Sequence, residues 1–168
     1  MLFRSMQIVE NKALLFRTRS PEKYSVIPKS RIVGENDGVY EVAVYWGLDE
    51  VRVLRNLGVK NPPSPITARY NWPGRHRPFA HQVDTASFLT LNRKAFVFND
   101  PGTGKTLSAL WAADYLMQVG QVRRCLILCP LSIMDDAWMS GIGKSIIDRK
   151  STRLNSSHIP LSRMPSSA

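Results

Sequence analysis

Apolar and polar positions alternate along three early stretches, residues 13–18, 24–33 and 39–46, which are also rich in β-branched and aromatic side chains. That period of two predicts strands. Ser20-Pro21-Glu22 and Gly34-Glu35-Asn36-Asp37-Gly38 separate them with turn chemistry, and the second predicts a hairpin connection. From Gly47 the period lengthens. Val51, Leu54 and Leu57 fall at helical spacing, Asp49 is a candidate N-cap and Gly58 a stop. Residues 1–60 therefore read as a small, strand-rich α+β module.

Asn61-Pro62-Pro63-Ser64-Pro65 reads as a stiff linker, with the boundary segment running over 61–76. Beyond it, Val83, Ala86, Phe88 and Leu89 predict a helix ending near Asn92. Residues 94–98 form a short apolar run of the kind buried in parallel sheets. Residues 104–118 predict a helix that buries Leu107, Leu110, Ala113 and Met117, with Gly120 past its end. A second apolar strand follows at 124–129, expected to lie parallel to the first through a right-handed crossover. Residues 77–147 thus read as the opening βαβ unit of a nucleotide-binding α/β domain.

The turn inside that unit carries the chemistry. Asn99-Asp100-Pro101-Gly102-Thr103-Gly104-Lys105-Thr106 lies between the strand and the helix. Glycines let the backbone curl so that its N–H groups converge on an anion, and the helix start adds its positive end. Asp100, Pro101, Gly102, Thr103, Gly104, Lys105 and Thr106 are the expected phosphate cradle. Lys105 is expected on the β/γ-phosphates of ATP, and the Thr106 hydroxyl on Mg²⁺. A strict phosphate-loop pattern has Gly where Asn99 stands.

Charge adds a second theme. The chain carries a formal +10, and up to Arg77 it holds 13 Lys/Arg against seven Asp/Glu. Tyr40, Tyr45, Trp46, Tyr70 and Trp72 are interleaved with them. That mixture fits either a nucleic-acid surface or a solvated basic face over an aromatic core. The longest apolar run, residues 125–134, is too short to span a bilayer and contains a proline. The N-terminus lacks signal-peptide order, so a cytoplasmic protein is expected. Cys125 and Cys129 read as reduced core thiols.

Residues 148–168 stand apart. Asp148 to His158 matches, codon by codon, a translated short-read sequencing adapter, and Ser162 to Ala168 matches its downstream part. The segment is expected to be a non-native, disordered tail, supplying Arg149, Lys150, Arg153 and Arg163 against Asp148. The natural frame is expected to run on past about Ile147.

Three blocks resemble the helicase-type ATPases of superfamily two, most closely the Swi/Snf-like branch in its phage and bacterial forms. Arg77-Pro78-Phe79-Ala80-His81-Gln82 is similar to the family's aromatic-x-x-Gln entry motif. Residues 99–106 are similar to its first nucleotide motif, where an acidic or amide residue replaces the first glycine. Residues 126–138, a strand ending Cys129-Pro130 with Ser132 and Trp138 after it, are similar to the next motif. The resemblance implies a RecA-like parallel-sheet lobe, here incomplete, binding ATP and Mg²⁺ and acting on DNA, expected to be duplex. It implies that Gln82 meets the adenine edge, that Pro130 and Ser132 touch the nucleic-acid backbone, and that Trp138 packs. The family's second acidic motif and the arginine of its second lobe do not occur in the chain. Asp135-Asp136 follows a different strand and is no substitute. The expectation is the N-terminal part of a DNA translocase or helicase that binds ATP without hydrolysing it. The alternatives are a nucleic-acid-binding module with a vestigial nucleotide site, or another P-loop NTPase or kinase. A phage origin would place it in the host cytoplasm.

Overall fold

The computed structural model describes residues 6–74 and 77–145, a mixed α/β chain with a small four-stranded antiparallel sheet. The strands are β1 (Gln7–Val9), β2 (Ala13–Thr18), β3 (Arg31–Asn36) and β4 (Val39–Tyr45), in the order β1-β2-β4-β3. Leu14 and Phe16 of β2 and Val42 and Val44 of β4 point to one face and are buried. The period-two pattern thus does what alternation dictates.

Three details depart from the sequence expectation. β1 was not foreseen, because three exposed residues carry no pattern. Residues 24–33 are not one strand. Pro21–Tyr24 is a 3₁₀ turn, Tyr24 and Ile27 drop into the core, and β3 begins only at Arg31. Pro21 suits the first position of such a turn, and Pro28 has no N–H to give a ladder. The 34–38 turn is also tighter than expected. β3 continues to Asn36, leaving Asp37 (φ 50°) and Gly38 (φ 70°) as a two-residue connection with both residues left-handed.

Helix α1 (Leu48–Asn56) covers the buried sheet face with Val51 and Leu54, completing a core with Leu14, Phe16, Tyr24, Ile27, Val42, Val44, Trp46 and Val59. Gly47, rather than Asp49, is its N-cap; Asp49 sits in the first turn and pairs with Arg52 at 3.1 Å. Gly58 closes it at φ 89°.

A second core lies between α2 (Ile66–Arg69), α3 (Ala80–Leu91) and α4 (Lys105–Gln118). It contains Leu48, Ile66, Tyr70, Ala86, Trp111, Ala112 and Tyr115, with Trp72, Leu89, Leu91, Leu107 and Leu116 packed against it. Tyr70, Trp72, Trp111 and Tyr115 meet edge to face at 5.3–5.8 Å between centroids. This arrangement favours the rings' quadrupoles. The face α4 buries is therefore centred on Leu110, Trp111 and Tyr115, while Leu107 and Met117 are only half-buried.

The Pro-rich stretch is packed. Ser64, Pro65 and Ile66 are buried, and the two most deeply buried indoles hold its two ends. Trp46 Nε1 donates to Pro63 O at 2.8 Å, and Trp111 Nε1 donates to Pro73 O at 2.9 Å. A buried indole N–H left without a partner would cost about 1–3 kcal/mol, so these bonds fix the path of the segment. Ser64 and Thr90 share a buried hydrogen bond of 2.8 Å. From α1, Arg52 donates to Thr90 O (2.8 Å), and Arg55 to Leu91 O (3.3 Å) and the Asn92 side chain (3.1 Å). Two guanidinium groups thus satisfy carbonyls that the C-terminus of α3 leaves without intrahelical partners.

The expected parallel strand pair is not formed. Residues 95–98 and 124–129 form no strand and make no ladder. Phe96, Phe98, Leu126 and Leu128 are 82–88% exposed. Parallel strands need neighbours along both edges and layers on both faces, and among the described residues only α3 and α4 lie near them. Cys125 is exposed and Cys129 half-buried, so the thiols are free but not in a core. After Pro130 come α5 (Leu131–Ile133), a π-helical turn (Met134–Met139) and α6 (Ser140–Ser145). Gly141 of α6 lies against Leu110 of α4, where an added Cβ would come within 3.1 Å of Leu110 Cδ1. Residues 148–168, expected as a disordered tail, lie outside the described residues. No helix among the described residues is long and apolar enough to cross a membrane.

Candidate nucleotide-binding site

The loop 99–104 has the backbone that its glycines anticipate. Gly102 (φ 79°) and Gly104 (φ 78°) are both left-handed, and Gly104 is the N-cap of α4. A Cβ at either position would be strained by about 1–2 kcal/mol. Lys105 and Thr106 are consequently the first two residues of α4, at the end where N–H groups have no intrahelical acceptor. Thr103 closes the loop, its hydroxyl donating to Asp100 O at 2.8 Å and its N–H to the same oxygen at 3.4 Å. Asp100, Pro101 and Gly102 are exposed, and Thr103 to Thr106 are half-buried.

Lys105 folds back over the loop. Its Nζ donates to Asn99 O and Asp100 O, each at 2.8 Å. Neutral carbonyls hold an ammonium less firmly than phosphate oxygens do, so an incoming phosphate could displace them without breaking an ion pair.

Helix α3 braces the loop from one side, with three side chains at spacing i, i+1 and i+4. His81 Nε2 lies 3.1 Å from Thr103 O. Gln82 is buried, its Nε2 donating to Thr103 O at 3.3 Å while its Oε1 accepts from Phe79 N at 3.0 Å. Thr85 donates to His81 O at 2.7 Å and accepts from Asn99 Nδ2 at 2.9 Å. The Gln82 amide is thereby committed on both sides. It offers an adenine edge only its second Nε2 hydrogen and a remaining Oε1 lone pair. Gly104 lies against this amide so closely that an added Cβ would collide with Gln82 Nε2.

The structure therefore brings Gln82, Asp100, Pro101, Gly102, Thr103, Gly104, Lys105 and Thr106 into one neighbourhood. His81, Thr85 and the Asn99 side chain belong to it as well and were not singled out from sequence. A polar i, i+3 pair, Gln82 and Thr85, on the side of the helix that also carries Ala86 and Leu89 is the signal that could have marked Thr85. Phe79 stands at the rim, 67% exposed and stacked on His81 with centroids 5.7 Å apart. Pro130 directly precedes α5 and Ser132 lies within it, both exposed, and Trp138 is half-buried in the π-helical turn. No hydrogen bond joins Pro130 or Ser132 to the loop among the described residues. Among the described residues no group of three His, Cys, Asp or Glu side chains is placed to hold a metal ion. Thr106 is the one loop hydroxyl at the helix start available for a cation brought in with a phosphate.

Comparison with protein-family models, with characterised proteins and with solved structures returns no match.

Proposed function

We propose that the chain is the N-terminal part of an ATP-dependent DNA translocase or helicase of the Swi/Snf-like kind, acting in the cytoplasm, and that loop 99–106 binds ATP with Mg²⁺. The observation that carries the reading is the conjunction at the loop: two left-handed glycines, a lysine at the first helical position, and α3 braced against the loop through Gln82, the residue the entry-motif resemblance picks out. In this reading Lys105 exchanges Asn99 O and Asp100 O for phosphate oxygens. Backbone N–H groups of the loop and the first turn of α4 take the remaining phosphate charge. Mg²⁺ would supply charge neutralisation between the phosphates, with Thr106 as the protein's ligand. DNA contacts belong to the Pro130–Ser132 segment by the same resemblance.

Phosphoryl transfer also needs a group to orient the attacking water and a cation on the developing charge. The chain offers neither at the loop, so ATP binding without turnover is the expected behaviour. In this reading the apolar segments at 95–98 and 124–129, which form no strands here, would pair only where further neighbours complete a parallel sheet. The basic, aromatic-rich first module favours nucleic acid as the partner even where the nucleotide loop is silent.

Titration with a fluorescent ATP analogue and Mg²⁺ tests the loop. The wild-type chain should bind saturably and Lys105→Ala should lose at least tenfold in affinity. Equal binding by both proteins, or none by the wild type at millimolar nucleotide, would remove the nucleotide site from the account.

A further inference from the structure

The sheet covers its core with one face and leaves the other open. Register and alternation decide what stands on the open face: Ala13 opposite Tyr45, Leu15 opposite Ala43, Arg17 opposite Glu41, and Arg31 opposite Ala43 from the other side. This face is polarised along the strands. Near the β3–β4 turn it carries Glu41 beside Arg17 and Gly34, and the depression there is also lined by Glu35, Asn36, Asp37 and Val39. At the opposite end two cations lie over Tyr45, and a third, Arg31, stands on the same face opposite Ala43. Lys29 Nζ lies 5.4 Å from the ring centroid and the Arg69 guanidinium carbon 5.2 Å from it, the latter also 5.7 Å from Trp46. Arg31 follows Lys29 by two residues, at the start of β3, on the same side as Tyr45.

These cations are held in place and left unmatched. Arg69 donates through Nε and Nη2 to Asn11 O, at 3.1 and 3.0 Å, and through Nη1 to the Tyr45 hydroxyl at 3.3 Å. Lys29 occupies a left-handed backbone position (φ 63°) inside a turn closed by Ser30 N on Ile27 O at 3.1 Å. Among the described residues the ion pairs are Arg17–Glu41 and Arg52–Asp49, so none of the three has a carboxylate. Like charges fixed around one ring repel one another, and a polyanion laid across them relieves that repulsion. The floor beside Tyr45 is made of Ala13 and Ala43, low enough for a backbone to approach. The acidic end repels the same ligand and confines it to the Tyr45 end.

We propose that Lys29, Arg31 and Arg69 around Tyr45 form a phosphate-backbone contact surface for nucleic acid, separate from loop 99–106. It shares with the function proposed above only the nucleic-acid partner, and it requires no nucleotide. Three phosphate contacts set the salt dependence: log K should fall against log salt with a slope of about −2.7 on duplex DNA.

The test is fluorescence anisotropy of a labelled 20-base-pair duplex with the full chain, from 50 to 200 mM NaCl without nucleotide. Wild type should show that slope. Arg31→Ala should weaken binding and make the slope shallower by about 0.9, and Lys29→Ala/Arg31→Ala by about twice that. Arg17→Ala, at the acidic end, should leave both affinity and slope as they are. The three side chains replaced are all exposed, with Arg17 paired to Glu41 and Lys29 over the Tyr45 ring, so melting curves should superimpose and keep a folding defect from passing as a binding one. Wild-type affinity and slope in the double variant would overturn the proposal. So would equal loss in Arg17→Ala, or binding of anionic vesicles with no binding of the duplex. Nucleotide-analogue binding is read separately: its failure leaves this surface standing, and its success with an unchanged double variant removes the surface alone.

Discussion

Gly104→Ala is the sharpest perturbation the loop offers. Gly104 sits at φ 78°, and its missing Cβ faces the Gln82 amide. The left-handed backbone costs an alanine about 1–2 kcal/mol. The new methyl also forces Gln82 aside, breaking its bonds to Thr103 O and Phe79 N, worth about 0.5–1.5 kcal/mol each. The native loop should therefore lose about 2–5 kcal/mol relative to alternatives. If only that loop binds phosphate, the apparent affinity falls in proportion to its population. Each 1.4 kcal/mol is about tenfold, so ATP-analogue binding should weaken by about 30- to 4,000-fold. Because half of this cost is collision with one side chain, removing that side chain should restore part of it. Gly104→Ala/Gln82→Ala should bind more tightly than the sum of the single effects predicts, with a coupling of about 1–2 kcal/mol. Thermal melting should barely change, since the loop is exposed and lies outside both cores. Wild-type affinity in Gly104→Ala, or strictly additive single effects, would refute the claim that Gln82 holds the loop.

Two further outcomes follow from the same contacts. Thr85→Val removes the acceptor for Asn99 Nδ2 and should weaken analogue binding by about tenfold. Thr85→Ser should restore it, while loss in both would indicate packing rather than the hydrogen bond. Tyr70 donates to Asp114 at 2.6 Å, and burial, then that hydrogen bond, then the carboxylate charge hold its phenol far above its ordinary value of 10.0. Tyr24 and Tyr115 are raised as well, chiefly by burial. A group whose pKa rises on folding stabilises the fold fully below its unfolded pKa and less as pH climbs past it. Stability should thus hold up to about pH 10 and fall above it. In urea melts Tyr70→Phe should flatten that fall while lowering stability at neutral pH, and an unchanged alkaline slope would count against the assignment.

What the sequence made legible was local. β2, β4, α1 and α4 follow from alternation or helical spacing because each buries a stripe that its own residues define. The turn at 99–104 was legible because Gly102 and Gly104 act through backbone geometry, both taking positive φ ahead of α4. The rest depended on distant partners. Nothing in Asn61-Pro62-Pro63-Ser64-Pro65 reveals that Trp46 and Trp111 will donate to the carbonyls of Pro63 and Pro73 and draw the stretch into the packed interior. Gln82 looked like a residue for a base edge because its amide can pair with one. Only the fold shows that Thr103 O and Phe79 N already engage it. The apolar runs at 95–98 and 124–129 carried a strand pattern that the fold does not realise. Pairing is a property of neighbours, and no ladder forms.

Those two runs have a consequence for the life of the chain in a cell. Phe96 and Phe98, with Leu126 and Leu128, present bulky apolar groups on backbone whose hydrogen-bonding groups have no ladder partner. Unfolded polypeptide looks the same to holdase chaperones and to proteases. Surveillance would therefore act on the folded chain as it does on a misfolded one. Abundance would be governed by how quickly those surfaces are captured or covered, and the melting temperature of the two cores would be a poor guide to it.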